Sequence, residues 1–141
     1  MRKSIAKRFR RDERGQALVE FALIMPFLLL LLIGIVEFGR GWNLHQVITD
    51  AAREGARKAV IFDPAITLDS VKNTVISAGA SAGISINPDS IIVTNWDGAS
   101  GTAASIEIRQ PYRFVFFGAL KQWTTGESTV LLRTRFTMRN E

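Results

Sequence analysis

Cysteine is absent from the chain and histidine occurs once, at His45. The first absence excludes a disulfide framework and any thiolate metal site. The second excludes a histidine cluster, so His45, beside Leu44 and with no nucleophile or relay next to it, reads as a packing or interfacial residue. The carboxylates do not fill the gap. Asp50, Glu54, Asp63, Asp69, Asp89 and Asp97 are dispersed over amphipathic segments and turns, where solvated faces account for them. There is no Walker loop or Gly-rich dinucleotide motif, and Gly98 and Gly101 belong to a turn signal. Internal repeats and low-complexity linkers are missing too. These absences lead to the expectation of a non-enzymatic chain without a cofactor or a dedicated metal motif, while a hard-cation site assembled from distant carboxylates stays open.

Excess positive charge is also missing from most of the sequence. The net charge is +5, yet Met1 to Gly15 holds seven basic and two acidic residues, whereas Gln16 to Glu141 holds eleven of each sign. A body without basic bias gives no reason to invoke nucleic acid. Charge confined to one flank of an apolar segment instead follows the positive-inside asymmetry: this flank stays in the cytoplasm and the body lies outside it.

The apolar segment is the dominant feature present. Phe21 to Val36 is sixteen residues without a charge, closed by Glu20 and Glu37, with Leu28 to Leu32 an unbroken leucine run. As a helix it measures about 24 Å, against roughly 30 Å for a bilayer's hydrocarbon core. Extension from Ala17 to Phe38 gives about 33 Å but carries the Glu20 carboxylate into or near the membrane, a cost that calls for a functional account. An ordinary secretory signal peptide is the competing reading. Its apolar region is usually shorter, and no clear small-x-small cleavage site follows Val36. Pro26 inside the helix removes a hydrogen bond and predicts a kink. Glu37 is expected at the bilayer surface, with Arg40 at i+3 as its partner.

After Trp42, an interfacial aromatic, the pattern turns amphipathic. Leu44, Val47, Ile48, Ala51, Gly55 and Ala59 form a stripe at helical spacing, so one helix is expected from about Gln16 to Ile61. Asp63-Pro64 ends it. A second helix is expected over Leu68 to Ala82, with Thr67 as N-cap, Gly83 as C-cap, and Leu68, Val71, Val75, Ala78 and Ala82 facing inward. Ile91 to Trp96 and Ala104 to Gln110 read as a hairpin, and Pro111 argues against an uninterrupted central strand. Tyr112 to Leu120 reads as a strand or as an apolar loop. Thr129 to Arg139 alternates as a half-buried strand with a basic outer face. Arg109, Arg133, Arg135 and Arg139, with Arg113, are a candidate partner-facing basic patch, against the simpler account that a solvated sheet face needs charge. The fold class is α+β: a long N-terminal transmembrane and amphipathic helix, a second helix and a small, mainly antiparallel C-terminal sheet.

Gly15-Gln16-Ala17-Leu18-Val19-Glu20-Phe21, a glycine after a basic leader and a glutamate five positions on, resembles the class III signal of type IV prepilins. The longer stretch GQALVEFALIMPFLLLLLIGIVEFGR, followed by Ala51-Ala52-Arg53-Glu54-Gly55-Ala56-Arg57, resembles the TadE-like pseudopilins of tight-adherence (Tad/Flp) pilus systems, and the ending from Thr137 to Glu141 is similar as well. The resemblance is strong over about Arg14 to Val60 and weak from Asp63 to Thr129. It implies cleavage by a prepilin peptidase between Gly15 and Gln16, with Glu20 and Phe21 taking part in assembly. The implied layout is a prepilin leader (1–15), a transmembrane segment (16–40), its amphipathic continuation (41–62) and an extracytoplasmic, pilin-like α+β domain (63–141). The implied partners are the peptidase, the Tad inner-membrane assembly platform, other pseudopilins, the Flp pilin and the lipid bilayer. Localisation is then a single pass through the cytoplasmic membrane with pilus association. The alternative is an uncleaved, membrane-anchored extracytoplasmic binding protein.

Overall fold

The computed structural model describes residues 13–61, 63–97, 100–116 and 129–139. Most of the basic leader, the centre of the Asp97 to Gly101 turn and the Phe117 to Leu120 half of the strand-or-loop segment lie outside the described residues. Helix α1 spans Glu13–Ala59, ending two residues before the expected limit. Pro26 lies inside it, with helix assigned on both sides. The chain divides into two compact units, Met1–Val36 and Glu37–Glu141. In the first, the described side chains are exposed or half-buried, and the most apolar window of the helix is not buried at all. By length and composition α1 is the one helix among the described residues that could cross a membrane.

The second unit is built around the amphipathic half of α1. Leu44, Ile48, Ala51, Ala52, Ala56 and Ala59 are buried, and the small residues among them let neighbouring backbones come close. Gly55 marks the tightest approach. A Cβ at this position would run into Val75 Cγ2 and sit 3.6 Å from Ile106 Cγ1, so three elements meet there.

Helix α2, Leu68–Ser81, opens with a capping box: Thr67 Oγ1 accepts from the Ser70 amide at 3.2 Å, and the Thr67 amide donates to Ser70 Oγ at 3.1 Å. Two of the amides that a helix start leaves without an intrahelical partner are satisfied this way. It closes on Gly83, whose φ is +76°, with Ile84 N donating to Gly79 O and Gly83 N to Ala80 O, each at 2.9 Å. This is the Schellman pattern, with glycine just past an Ala82 cap. The inward stripe differs from expectation. Val71, Val75 and Gly79 are buried, whereas Leu68 and Ala82 are exposed. Gly79 belongs inside because Ile86 fills the space of its missing side chain: a Cβ there would lie 2.6 Å from Ile86 Cδ1.

A short 3-10 turn, Pro88–Ser90, leads into an antiparallel sheet of β1 (Ile91–Thr94), β2 (Ala103–Arg113) and β3 (Thr129–Arg139), in the order β1-β2-β3. The first strand stops before Trp96 because Asn95 turns the chain at φ +55°. The central strand runs through Pro111, against expectation. The reason lies in the register: Ile91 at the start of β1 pairs with Ile108, while Pro111 pairs only with Leu131 of β3. At that position the strand has a neighbour on one side, and the missing N–H costs no ladder bond on the other. Along β3, Thr134 is buried and Leu132, Phe136 and Met138 are half-buried, while the four residues alternating with them from Leu131 to Thr137 are exposed. The period-2 expectation holds. Thr49 of α1 meets Thr134 through their hydroxyls at 3.0 Å, and Arg53 lies over the Phe136 ring at 5.3 Å. The fold is the expected pilin-like α+β arrangement of long helix, second helix and small antiparallel sheet.

Candidate functional site

Three groups of polar residues stand out. The first is at the start of α1. Residues four apart share a helix face, and Gln16 Nε2 donates to Glu20 Oε1 at 3.1 Å. Both side chains are exposed, as is Phe21 beside them, and a Cβ at Gly15 would meet nothing within 4 Å. The stretch is open on all sides, and its carboxylate has capacity for a further donor. Pro26 lies about a turn and a half along the same helix, in the apolar stretch between Glu20 and Glu37.

The second is Glu37, which the structure buries within its own unit. Glu37 is 2% exposed. Its Oε2 accepts the Val115 amide at 2.9 Å, its backbone carbonyl accepts the Tyr112 hydroxyl at 3.2 Å, and Arg40 Nη1 stands 3.7 Å from Oε1. The i,i+3 partner is as expected. The burial is not, because the amide that reaches the carboxylate belongs to Val115, just past the C-terminal end of β2.

The third is the outer sheet face. Arg109 and Arg135 converge on Glu107: Arg109 Nε donates to Oε1 and Arg135 Nη2 to Oε2, both at 2.6 Å. Arg133 lies across from Arg109 in register. Arg139 is opposite Ala103 and donates from Nε to the Gly101 carbonyl at 3.3 Å. The basic patch therefore has an acidic centre that the sequence reading left unremarked. Its signal was the i,i+2 spacing of Glu107 and Arg109, which sets both on one face of a strand. The Arg109 hydrogen bond, then that from Arg135, holds the Glu107 carboxyl below its ordinary range. A carboxyl lowered in the folded state stabilises the fold above the unfolded value, about 4.3 for glutamate, and loses this contribution as pH falls through the folded value beneath it. Wild type is therefore expected to exceed Glu107→Gln in thermal stability at neutral pH, with the gap closing only below the ordinary glutamate range. Stepwise acid titration of Tm in detergent checks this; parallel curves for the two proteins would contradict it.

Among the described residues no three His, Asp or Glu side chains gather as a metal site. A shallow hollow of about 410 Å³ beside Glu54, Asn73, Thr74 and Ser77 is lined mainly by small polar side chains and alanine.

Fold and sites define a class: a chain in which the one apolar helix of membrane-crossing length among the described residues continues into a small α+β unit. Residues 15–57 match the family of TadE-like proteins. The matched stretch holds the Gly15 to Phe21 signature, the uncharged block and most of the amphipathic half of α1, and ends before α2 and the sheet. Comparison with curated proteins and with solved structures gives no match.

Proposed function

We propose that this protein is a TadE-like pseudopilin, a minor component in the assembly or initiation of a Tad/Flp type IV pilus. A prepilin peptidase cuts between Gly15 and Gln16 and removes the basic leader. The apolar half of α1 holds the product in the cytoplasmic membrane, with the N-terminus on the cytoplasmic side and the α+β unit outside. Glu20, with Phe21 beside it, serves assembly: its carboxylate pairs with the new α-amino group of Gln16 on another subunit and sets the axial register. An unpaired charge in the apolar layer would otherwise be costly. Pro26 supplies a bend in the span, and the face bearing Arg109, Arg133, Arg135 and Arg139 meets an acidic neighbour in the assembly, such as the platform, another pseudopilin or the Flp pilin.

The observation that carries this reading is a coincidence within one stretch. The family match, the exposed apolar helix and a carboxylate five positions after Gly15 all fall within residues 15–57. Intact-mass analysis of membrane-derived protein, co-expressed with its cognate prepilin peptidase, is expected to show loss of Met1 to Gly15. Full retention of the leader would instead leave the uncleaved, membrane-anchored binding protein.

A further inference from the structure

The exposed apolar surface of the second unit is gathered at one end. Nine large apolar side chains from Glu37 onward are exposed among the described residues, and six of them, Phe38, Trp42, Val115, Phe116, Val130 and Leu131, lie near Glu37, just past the end of β2 that bonds to it, or on β3 where it pairs with that end. Their placement follows from a few contacts. Phe38 is next to Glu37 in the chain and stacks on Trp42 with 6.2 Å between ring centroids. Tyr112, bonded to the Glu37 carbonyl, lays its ring 3.5 Å from where a Gly41 Cβ would be. In the sheet, Val130 pairs with Tyr112 and Leu131 with Pro111. The Val115 amide is held by the Glu37 carboxylate, yet Val115 is 53% exposed and Phe116 58%.

Glu37 is also where the uncharged block ends, so this cluster is fastened to the residue that follows the apolar run. On the reading that the run crosses the bilayer, we infer that Val115 and Phe116, with the exposed ends of β2 and β3, form a second membrane contact, seated in the outer boundary layer beside Phe38 and Trp42. Continuity with the span selects lipid as the occupant. The block reaches about 24 Å of the roughly 30 Å hydrocarbon layer, which puts the boundary at or past Glu37. The charge that would bar lipid there is turned inward, because Glu37 is covered by its own domain. Trp42 is the residue type that settles at such a boundary, and Arg40 and Arg113, both exposed, suit lipid phosphates.

The test uses the full-length protein at one copy per nanodisc of phosphatidylethanolamine and phosphatidylglycerol. Because the chain has no cysteine, single variants L29C, V115C and I92C each carry one environment-sensitive fluorophore. The V115C label is expected to be blue-shifted and to lose most of its emission to a quencher attached near the headgroup end of an acyl chain. The L29C label responds to a deep quencher, and the I92C label stays in water. A water-exposed V115C label beside an embedded L29C label would overturn the second contact and leave the span standing. A water-exposed L29C label would overturn both. Protection of V115C that arises only with several copies per disc would assign this end to a second subunit and also defeat the inference.

Discussion

Glu20→Leu is expected to cut incorporation of the subunit into assembled fibres by about tenfold to a hundredfold while leaving its insertion into the membrane intact. The two effects have opposite signs for one reason. In an isolated subunit the carboxylate is the expensive group: insertion scales put a charged residue at a helix centre at about 2.5–3.5 kcal/mol unfavourable and leucine slightly favourable. In the assembly the neighbour's α-amino group has the same need, and leucine leaves it unpaired. At about 1.4 kcal/mol per factor of ten, most of that cost reappears as lost incorporation, reduced because Glu20 lies at the edge of the apolar block and not at its centre. Glu20→Gln divides charge from hydrogen bonding. Its amide oxygen can still accept from Gln16, whose Nε2 lies 3.1 Å from Glu20 Oε1, but it offers no counter-charge. The glutamine variant is therefore expected to fail almost as badly as the leucine one. Quantitative immunoblotting of sheared fibre against membrane fractions measures both steps, and incorporation of either variant at the wild-type level would remove the ion pair from the account.

Gly55 is the position where the largest loss of stability from one added side chain is expected. Two effects oppose each other at Gly55→Ala. Alanine gains about 0.8–1.0 kcal/mol over glycine in a helix interior, while overpacking a tight contact costs about 1–3 kcal/mol. The new Cβ would strike Val75 Cγ2, part of a β-branched side chain with little rotamer freedom, so overpacking prevails and the net loss is about 0–2 kcal/mol. Gly55→Val adds two more methyl groups and loses most of the propensity gain, and is expected to cost about 3 kcal/mol or more. The contact also predicts coupling. Val75→Ala alone opens a cavity, but combined with Gly55→Ala it vacates the space that the new Cβ needs. The double variant should then be more stable than the sum of the singles by about 0.5–3 kcal/mol. Denaturant unfolding of the full chain in detergent, followed by tryptophan fluorescence, supplies the four values. Strict additivity would show that α1 and α2 do not meet at this point.

What local chemistry governs was legible in the chain. Sixteen uncharged residues make an apolar helix whatever follows them. Thr67 could be read as a cap because its side chain bonds an amide three residues on, and β3 because its side chains alternate at a period set by the backbone. The Gly15-to-Glu20 spacing and the amphipathic stripe through Gly55 are of the same local kind, and they lie in the stretch that the family match covers. The burial of Gly79 could not be read from periodicity, because it depends on Ile86 coming back over it.

Amino-acid order by itself determined the apolar span, its basic flank and the succession of helices and strands, since each depends on neighbours a few positions away. Tertiary structure decided the fate of the charges. Glu37 is covered by Val115, 78 positions further along, and Glu107 is clamped in part by Arg135, 28 positions away. Pro111 is admitted to β2 because β1, which begins opposite Ile108, does not reach it. Each of these outcomes depends on which segments pack together, and the energy of a buried or paired charge is set by those partners and not by its own surroundings in the chain.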